Sequence, residues 1–199
     1  MGNGKFAGEH NGGYASFSLD ISRFVIFGEE NIIAVAVNNT RNDEYGTPPM
    51  SAGNFNVYGG IYRDVRLVIK NKMYIPFQGS ADYEGGTFVT TPLVGSSVAT
   101  VRVQTWVRNE GNVAQLCTLK TAIAGADNKI IATICSVKSI RPDETARFDQ
   151  LSDTIRNPKL WSPDAPNVYK VYSEVILDNV IADQYLSPLG FRWFLVEQG

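Results

Sequence analysis

The stretch Asn157-Pro158-Lys159-Leu160-Trp161-Ser162-Pro163-Asp164-Ala165-Pro166-Asn167-Val168-Tyr169 sets three prolines within nine residues around a tryptophan. Each proline fixes its own φ and removes a backbone donor, and each drives the preceding residue into an extended conformation. Such a run is neither a helix interior nor a central strand. It is a stiff, irregular connection that feeds a strand starting near Tyr169.

The rest of the chain lacks helical periodicity. Short apolar runs recur between clusters of Gly, Asn, Asp and Pro, the pattern of antiparallel β structure. A first block is expected to form strands near Tyr14–Leu19, Asn31–Val37 and Ile61–Ile69. Gly28 to Asn31 is a turn, and Asn38 to Ala52 is a long polar loop holding Pro48 and Pro49. Around Lys70–Tyr74 this block hands over to a second. The second is expected to have strands at Met73–Ile75, Thr87–Thr91, Ala99–Arg108, Gln115–Ile123, Lys129–Ser136, Glu144–Leu151, Val168–Leu177 and Asp183–Phe191. Even spacing with frequent turns suggests a sandwich of roughly seven strands. Val101, Val103, Thr105 and Val107 alternate with Arg102, Gln104, Trp106 and Arg108. One face of that strand is therefore buried, and the other is polar apart from a semi-exposed tryptophan.

Hydrophobic residues make up 44% of the 199 and charged residues 19%, which suits a globular core rather than a disordered tail. With 18 basic and 20 acidic residues, no basic stripe is available for nucleic acid, and no apolar run approaches the ~20 residues of a membrane span. No signal peptide opens the sequence, and a periplasmic or secreted parent remains compatible with it. Cys117 and Cys135 flank a hairpin turning around Gly125-Ala126-Asp127-Asn128. They are either cross-strand neighbours able to form a disulfide or two free thiols buried as small hydrophobes, and a one-residue slip of register separates them onto opposite faces.

Four motifs occur in order. Asn3-Gly4-Lys5-Phe6-Ala7-Gly8-Glu9-His10-Asn11-Gly12-Gly13-Tyr14 is followed by Phe17 and Asp20-Ile21. Gly59-Gly60-Ile61-Tyr62-Arg63-Asp64-Val65 comes next, then the proline-tryptophan run, then Gly190-Phe191-Arg192. Together they resemble signatures of the family 2 glycoside hydrolases (β-galactosidases, β-glucuronidases, β-mannosidases). The resemblance implies an all-β chain. Residues 1–72 would be the C-terminal part of a jelly-roll sugar-binding domain, 73–193 an immunoglobulin-like β-sandwich, and 194–199 the start of a linker to a catalytic barrel absent from this chain. Both catalytic glutamates of the family come from that barrel, which needs roughly 250 residues of its own. The chain is then a non-catalytic portion of a β-galactosidase-like hydrolase of carbohydrate metabolism, inactive by itself and supporting the barrel. The alternatives are a stand-alone carbohydrate-binding module and a purely structural β-sandwich.

No catalytic residue, metal ligand or cofactor is expected. Asn109-Glu110 imitates the order around the family's acid/base glutamate, but it lies in the polar turn Arg108-Asn109-Glu110-Gly111-Asn112, where nothing desolvates a general acid. Glu29-Glu30, Asp43-Glu44 and Asp143-Glu144 also read as solvated turn carboxylates. His10 is the single histidine, without a nucleophile or further ligands beside it, and packing is the better reading. Arg63 and Asp64 would point to opposite faces of a strand, so Arg63 is expected to pair across the sheet or the domain junction, with Gly59 and Gly60 allowing close backbone approach. Trp161 and Trp193 read as core or interface anchors. The resemblance assigns one loop, Ser51 to Tyr58, to the edge of the sugar pocket, with Asn54 where many relatives carry Asp. An amide there still hydrogen-bonds a hydroxyl. Phe55 and Tyr58 either stack on the sugar, a β-glycoside in the full enzyme, or pack under the loop. Residues 1–70, on the same reading, lack the strands they evolved to pair with. The face of Ile32, Ala34, Val65 and Leu67 is therefore expected to drive homo-oligomerisation.

Overall fold

The structure, a computed structural model, describes residues 1–12, 15–40, 60–78 and 84–193. The chain forms two compact units, one built on Met1–Val68 and one on Ile69–Gln78 and Asp82–Gly199.

The second unit is an antiparallel sandwich of two sheets. Its strands are β1 (Met73–Tyr74), β2 (Thr87–Val94), β3 (Val98–Asn109), β4 (Gln115–Ala124), β5 (Ile130–Ile140), β6 (Thr145–Leu151), β7 (Ile155–Arg156), β8 (Tyr169–Leu177) and β9 (Val180–Leu189). One sheet is organised around β3, which pairs with β1, β2, β6 and β7, and the other runs β5-β4-β8-β9. Seven long strands in this arrangement make an immunoglobulin-like sandwich. All eight strands expected here from the sequence form, with ends shifted by a few residues. The two-residue β7, which pairs Val98 with Arg156 and Ala99 with Ile155, is an addition.

Period-two patterning builds the interior. Val101, Val103, Thr105 and Val107 of β3 are all fully buried, and they face Cys117, Leu119, Thr121 and Ile123 of β4 and Tyr169, Val171, Ser173 and Val175 of β8. The alternation stops at Arg108, which is also buried. The apolar side chains separate into two clusters. One gathers Val101, Val103, Ile123, Val171 and Phe191; the other gathers Met73, Val107, Leu119, Ile140, Phe148 and Val175. Between them lies a polar waist of Thr105, Thr121, Gln150 and Ser173. There the Thr121 hydroxyl donates to Gln150 Oε1 at 2.6 Å, and Gln150 Nε2 donates to the Leu119 carbonyl and to Ser136 Oγ, each at 3.1 Å. Gln150 belongs to one sheet and its partners to the other, so these bonds lock the two layers in register. Ser173 Oγ is buried there without a hydrogen-bond partner.

Cys117 is buried opposite Lys138, whereas Cys135 is exposed opposite Lys120. The two stand an odd number of positions apart in the ladder, on opposite faces, and both are free. The expectation that both thiols are buried therefore holds for Cys117 alone. Burial pushes the Cys117 thiol up to about 11.

The first unit departs from expectation. Among its described residues the regular elements are a 3-10 turn at Ser22–Phe24 and the isolated bridges Gly2↔Lys5 and Gly2↔Ile33. The segments Asn31–Val37 and Ile61–Ile69 run without a ladder. A strand exists only by pairing, and among the described residues Asn31–Val37 pairs only briefly, where Asn3 N donates to the Ile32 carbonyl and Ala34 N to the Met1 carbonyl. Two amides organise the unit instead. Asn3 Nδ2 donates to the Phe24 carbonyl and Asn31 Oδ1, its Oδ1 accepts from Ile32 N, and Asn31 Nδ2 donates to the carbonyls of Ile26 and Glu29. Among the described residues no helix is long and apolar enough to cross a membrane.

Candidate functional site

The proline-tryptophan segment and the Gly190-Phe191-Arg192 segment, distant in sequence, meet at one end of the sandwich. Asn157 takes a positive φ of 48° and its N–H donates to the Ser97 carbonyl, which turns the chain out of β7. Pro158 is buried behind it. Lys159 N donates to the Tyr169 hydroxyl, Leu160 bridges Phe191, and Trp161 N donates to the Phe191 carbonyl at 2.8 Å. Pro163 sits inside, and Pro166 just after, a tight turn in which Ser162 and Ala165 exchange backbone hydrogen bonds, and Asn167 Nδ2 returns to the Leu160 carbonyl. Tyr169 packs edge-on against Phe191 with centroids 4.8 Å apart. The run is thus irregular and stiff, as its prolines require, and it enters β8 at Tyr169.

Gly190 explains the close seating of the tryptophan, because a Cβ there would lie 3.2 Å from Trp161 Cβ. Arg192 closes over the indole, its guanidinium carbon 5.1 Å from the ring centroid. Trp161 is an anchor, but a partly buried one. Trp193 is 66% exposed and is not part of the core. The contact between Trp161 and Arg192 joins two motifs that sequence reading treats separately; only a covariation of the two positions would have signalled it.

Glu110 lies just beyond β3 and is held by donors. Its Oε1 accepts from the Tyr74 hydroxyl at 2.9 Å and from Arg108 Nε at 3.0 Å, while Arg108 also reaches the Asp143 carbonyl. This buttress explains the inward turn of Arg108, and it gives the Asn109-Glu110 pair a structural role. His10 stacks on Phe17 with centroids 4.4 Å apart and planes 10° apart, the packing role expected of it. Arg63 lies over the Tyr62 ring at 5.6 Å, and Asp64 pairs with Arg66 rather than with its neighbour. The contact Arg63 makes is therefore local, because the expected strand does not form around it. Gly60 has a φ of 100°, open to glycine alone without strain. Asn54, Phe55, Tyr58 and Gly59 lie outside the described residues, as do Asp43 and Glu44. Among the described residues no group of three or more His, Cys, Asp or Glu could hold a metal ion.

The family model for glycosyl hydrolases family 2 matches residues 85–192, the body of the sandwich. The chain belongs to that family. Its relatives in family 2 include a β-glucuronidase of Formosa agariphila, 32% identical over 197 residues that cover 96% of this chain and 20% of that protein. A β-galactosidase of Thermoanaerobacter pseudethanolicus is 30% identical, with 96% of this chain and 24% of the enzyme aligned. The crystal structure of a Bacteroides uniformis β-glucuronidase superposes with a TM-score of 0.87 at 31% identity, covering 97% of this chain and 23% of that one. The chain thus spans about a quarter or less of the length of these family 2 relatives.

Proposed function

We propose that this chain is the supporting, non-catalytic portion of a β-galactosidase- or β-glucuronidase-like hydrolase acting on a β-glycoside. The observation that carries the reading is the match of the family to residues 85–192, the body of the sandwich. Glu110, Asp143, Asp149 and Glu144 are each engaged with arginine. A retaining glycosidase instead needs two carboxyl groups roughly 5–5.5 Å apart across a sugar. In the whole enzyme the sandwich holds the barrel, and the loop carrying Asn54, Phe55 and Tyr58 completes the sugar pocket. Calorimetric titration of the chain with galactose, glucuronate and mannose tests this division of labour. A supporting portion gives no saturable heat up to millimolar sugar, whereas saturable binding identifies an independent carbohydrate-binding module.

The same reading extends to association. Ile32, Val65 and Leu67 of the first unit are 67%, 74% and 70% exposed, and among the described residues of that unit no apolar side chain is buried. At ~25 cal/mol per Å², covering a few hundred Å² of such surface is worth several kcal/mol. The isolated chain therefore self-associates through residues 1–70. Light scattering that finds a monomer over a wide concentration range rejects this part.

A further inference from the structure

Two clefts open along one seam of the sandwich, between the edge strands β2 and β9. One, of about 260 Å³, lies between Thr87–Val89 and Tyr185–Pro188. The other, of about 500 Å³, runs on from Thr90 and Thr91 to Trp161 and Arg192. Val89 and Pro188 line both, so the two form one groove. The opposite seam is closed. There β5 and β6 are joined by the Arg141–Glu144 turn, by Lys138 Nζ donating to the Arg147 carbonyl, and by Gln150 reaching Ser136.

The outer backbone edge of β2 borders the groove, with Thr87 buried at its floor and Val89 half-buried. Trp106 N donates to the Gly86 carbonyl, and the register continues through Thr87↔Thr105, Phe88↔Gln104 and Val89↔Val103. Antiparallel bonding alternates, so the N–H and C=O groups of Thr87 and Val89 point away from β3, toward the groove. On the facing strand Pro188 has no N–H to offer, and on β2 Pro92 and the register shift between Thr90 and Leu93 end the regular edge, so the pairing stretch is Thr87–Thr90 of β2. The residues lining the groove carry a single formal charge, the guanidinium of Arg192. The indole of Trp161 is already covered by that guanidinium, which removes the obvious stacking platform for a sugar.

We propose that the groove takes an extended polypeptide segment as an added strand on β2, with a carboxylate of that segment against Arg192. Main-chain hydrogen bonds at Thr87 and Val89 supply the pairing, and the one cation supplies direction. The probe is a short acetylated and amidated peptide of alternating threonine and valine with one glutamate at its first or last position. It is titrated into the ¹⁵N-labelled full chain and followed by NMR. One of the two peptides is expected to shift the amides of Thr87, Val89 and Arg192 saturably. Replacing its glutamate by glutamine, or Arg192→Ala in the protein, weakens binding by about fivefold, the upper range for an exposed ion pair. Val89→Pro, which removes an outward N–H from an edge strand, abolishes binding while circular dichroism stays unchanged. Absence of shifts at millimolar peptide overturns the proposal. So does binding indifferent to both charge changes and to Val89→Pro, which marks an apolar patch only, and so does methyl β-glucuronide moving these amides where the peptide does not.

Discussion

Truncating Gln150 to alanine should be among the most damaging single changes in the sandwich. The side chain is 2% exposed and makes three hydrogen bonds that cross from one sheet to the other. At about 1 kcal/mol net for each, their loss removes about 3 kcal/mol. The space left, roughly 50 Å³ at about 24 cal/mol per Å³, adds about 1 kcal/mol. The expected total of about 4 kcal/mol corresponds to a fall of about 2 M in the urea midpoint if m is about 2 kcal/mol/M. Tryptophan fluorescence follows the transition, since Trp106 and Trp161 belong to the sandwich. The double variant Gln150→Leu, Thr121→Val removes donor and acceptor together and refills the space, so it should cost less than about 1.5 kcal/mol. A cycle built on these changes is therefore strongly non-additive. If Gln150→Ala costs under about 1 kcal/mol, or if the single effects simply add, the polar waist does not hold the sheets together.

Three further outcomes are expected. Trp161→Ala should destabilise the sandwich by about 2–3 kcal/mol in urea denaturation, below the 3–5 kcal/mol typical of a fully buried aromatic because the indole is partly exposed. The Cys117 thiol titrates near 11 in the folded chain against an ordinary 9.0. Its contribution of about 2–3 kcal/mol is whole below pH about 9 and fades as pH rises toward 11, so Cys117→Ala should flatten that alkaline limb of the stability profile. The hydrogen bond from Arg102, supported by Gln104, holds the Asp149 carboxyl well below the usual range. Stability from it is present above the ordinary aspartate range and lost as pH falls further, and Asp149→Asn should remove that acid limb in thermal melts.

The second unit was legible in the sequence because its central strands β3 and β8 alternate over most of their length. Val101, Val103 and Thr105 announce the inner face of β3, and the Gly, Asn and Asp clusters announce the turns. The failures share a cause. Arg108 breaks the alternation because Glu110 and Asp143 wait at the strand end, and β7 is too short to carry a period. Gln150 looks like any polar strand residue until the partner sheet is placed over it. Cys135 follows the ladder register, which the residues flanking a turn do not specify. In the first unit, apolar alternation at Ile61–Ile69 promised strands, but pairing is a property of neighbours rather than of the segment. The proline-tryptophan run was read correctly as stiff and irregular; its meeting with Gly190 and Arg192 depends on where β9 ends.

The most direct test of the central reading is a turnover assay on the purified chain with the nitrophenyl β-galactoside, β-glucuronide and β-mannoside. A supporting portion of a family 2 hydrolase, with Glu110, Asp143, Glu144 and Asp149 engaged by arginines, releases no nitrophenol above the buffer rate with any of the three. Release that co-purifies with the chain and scales with its concentration would contradict the account.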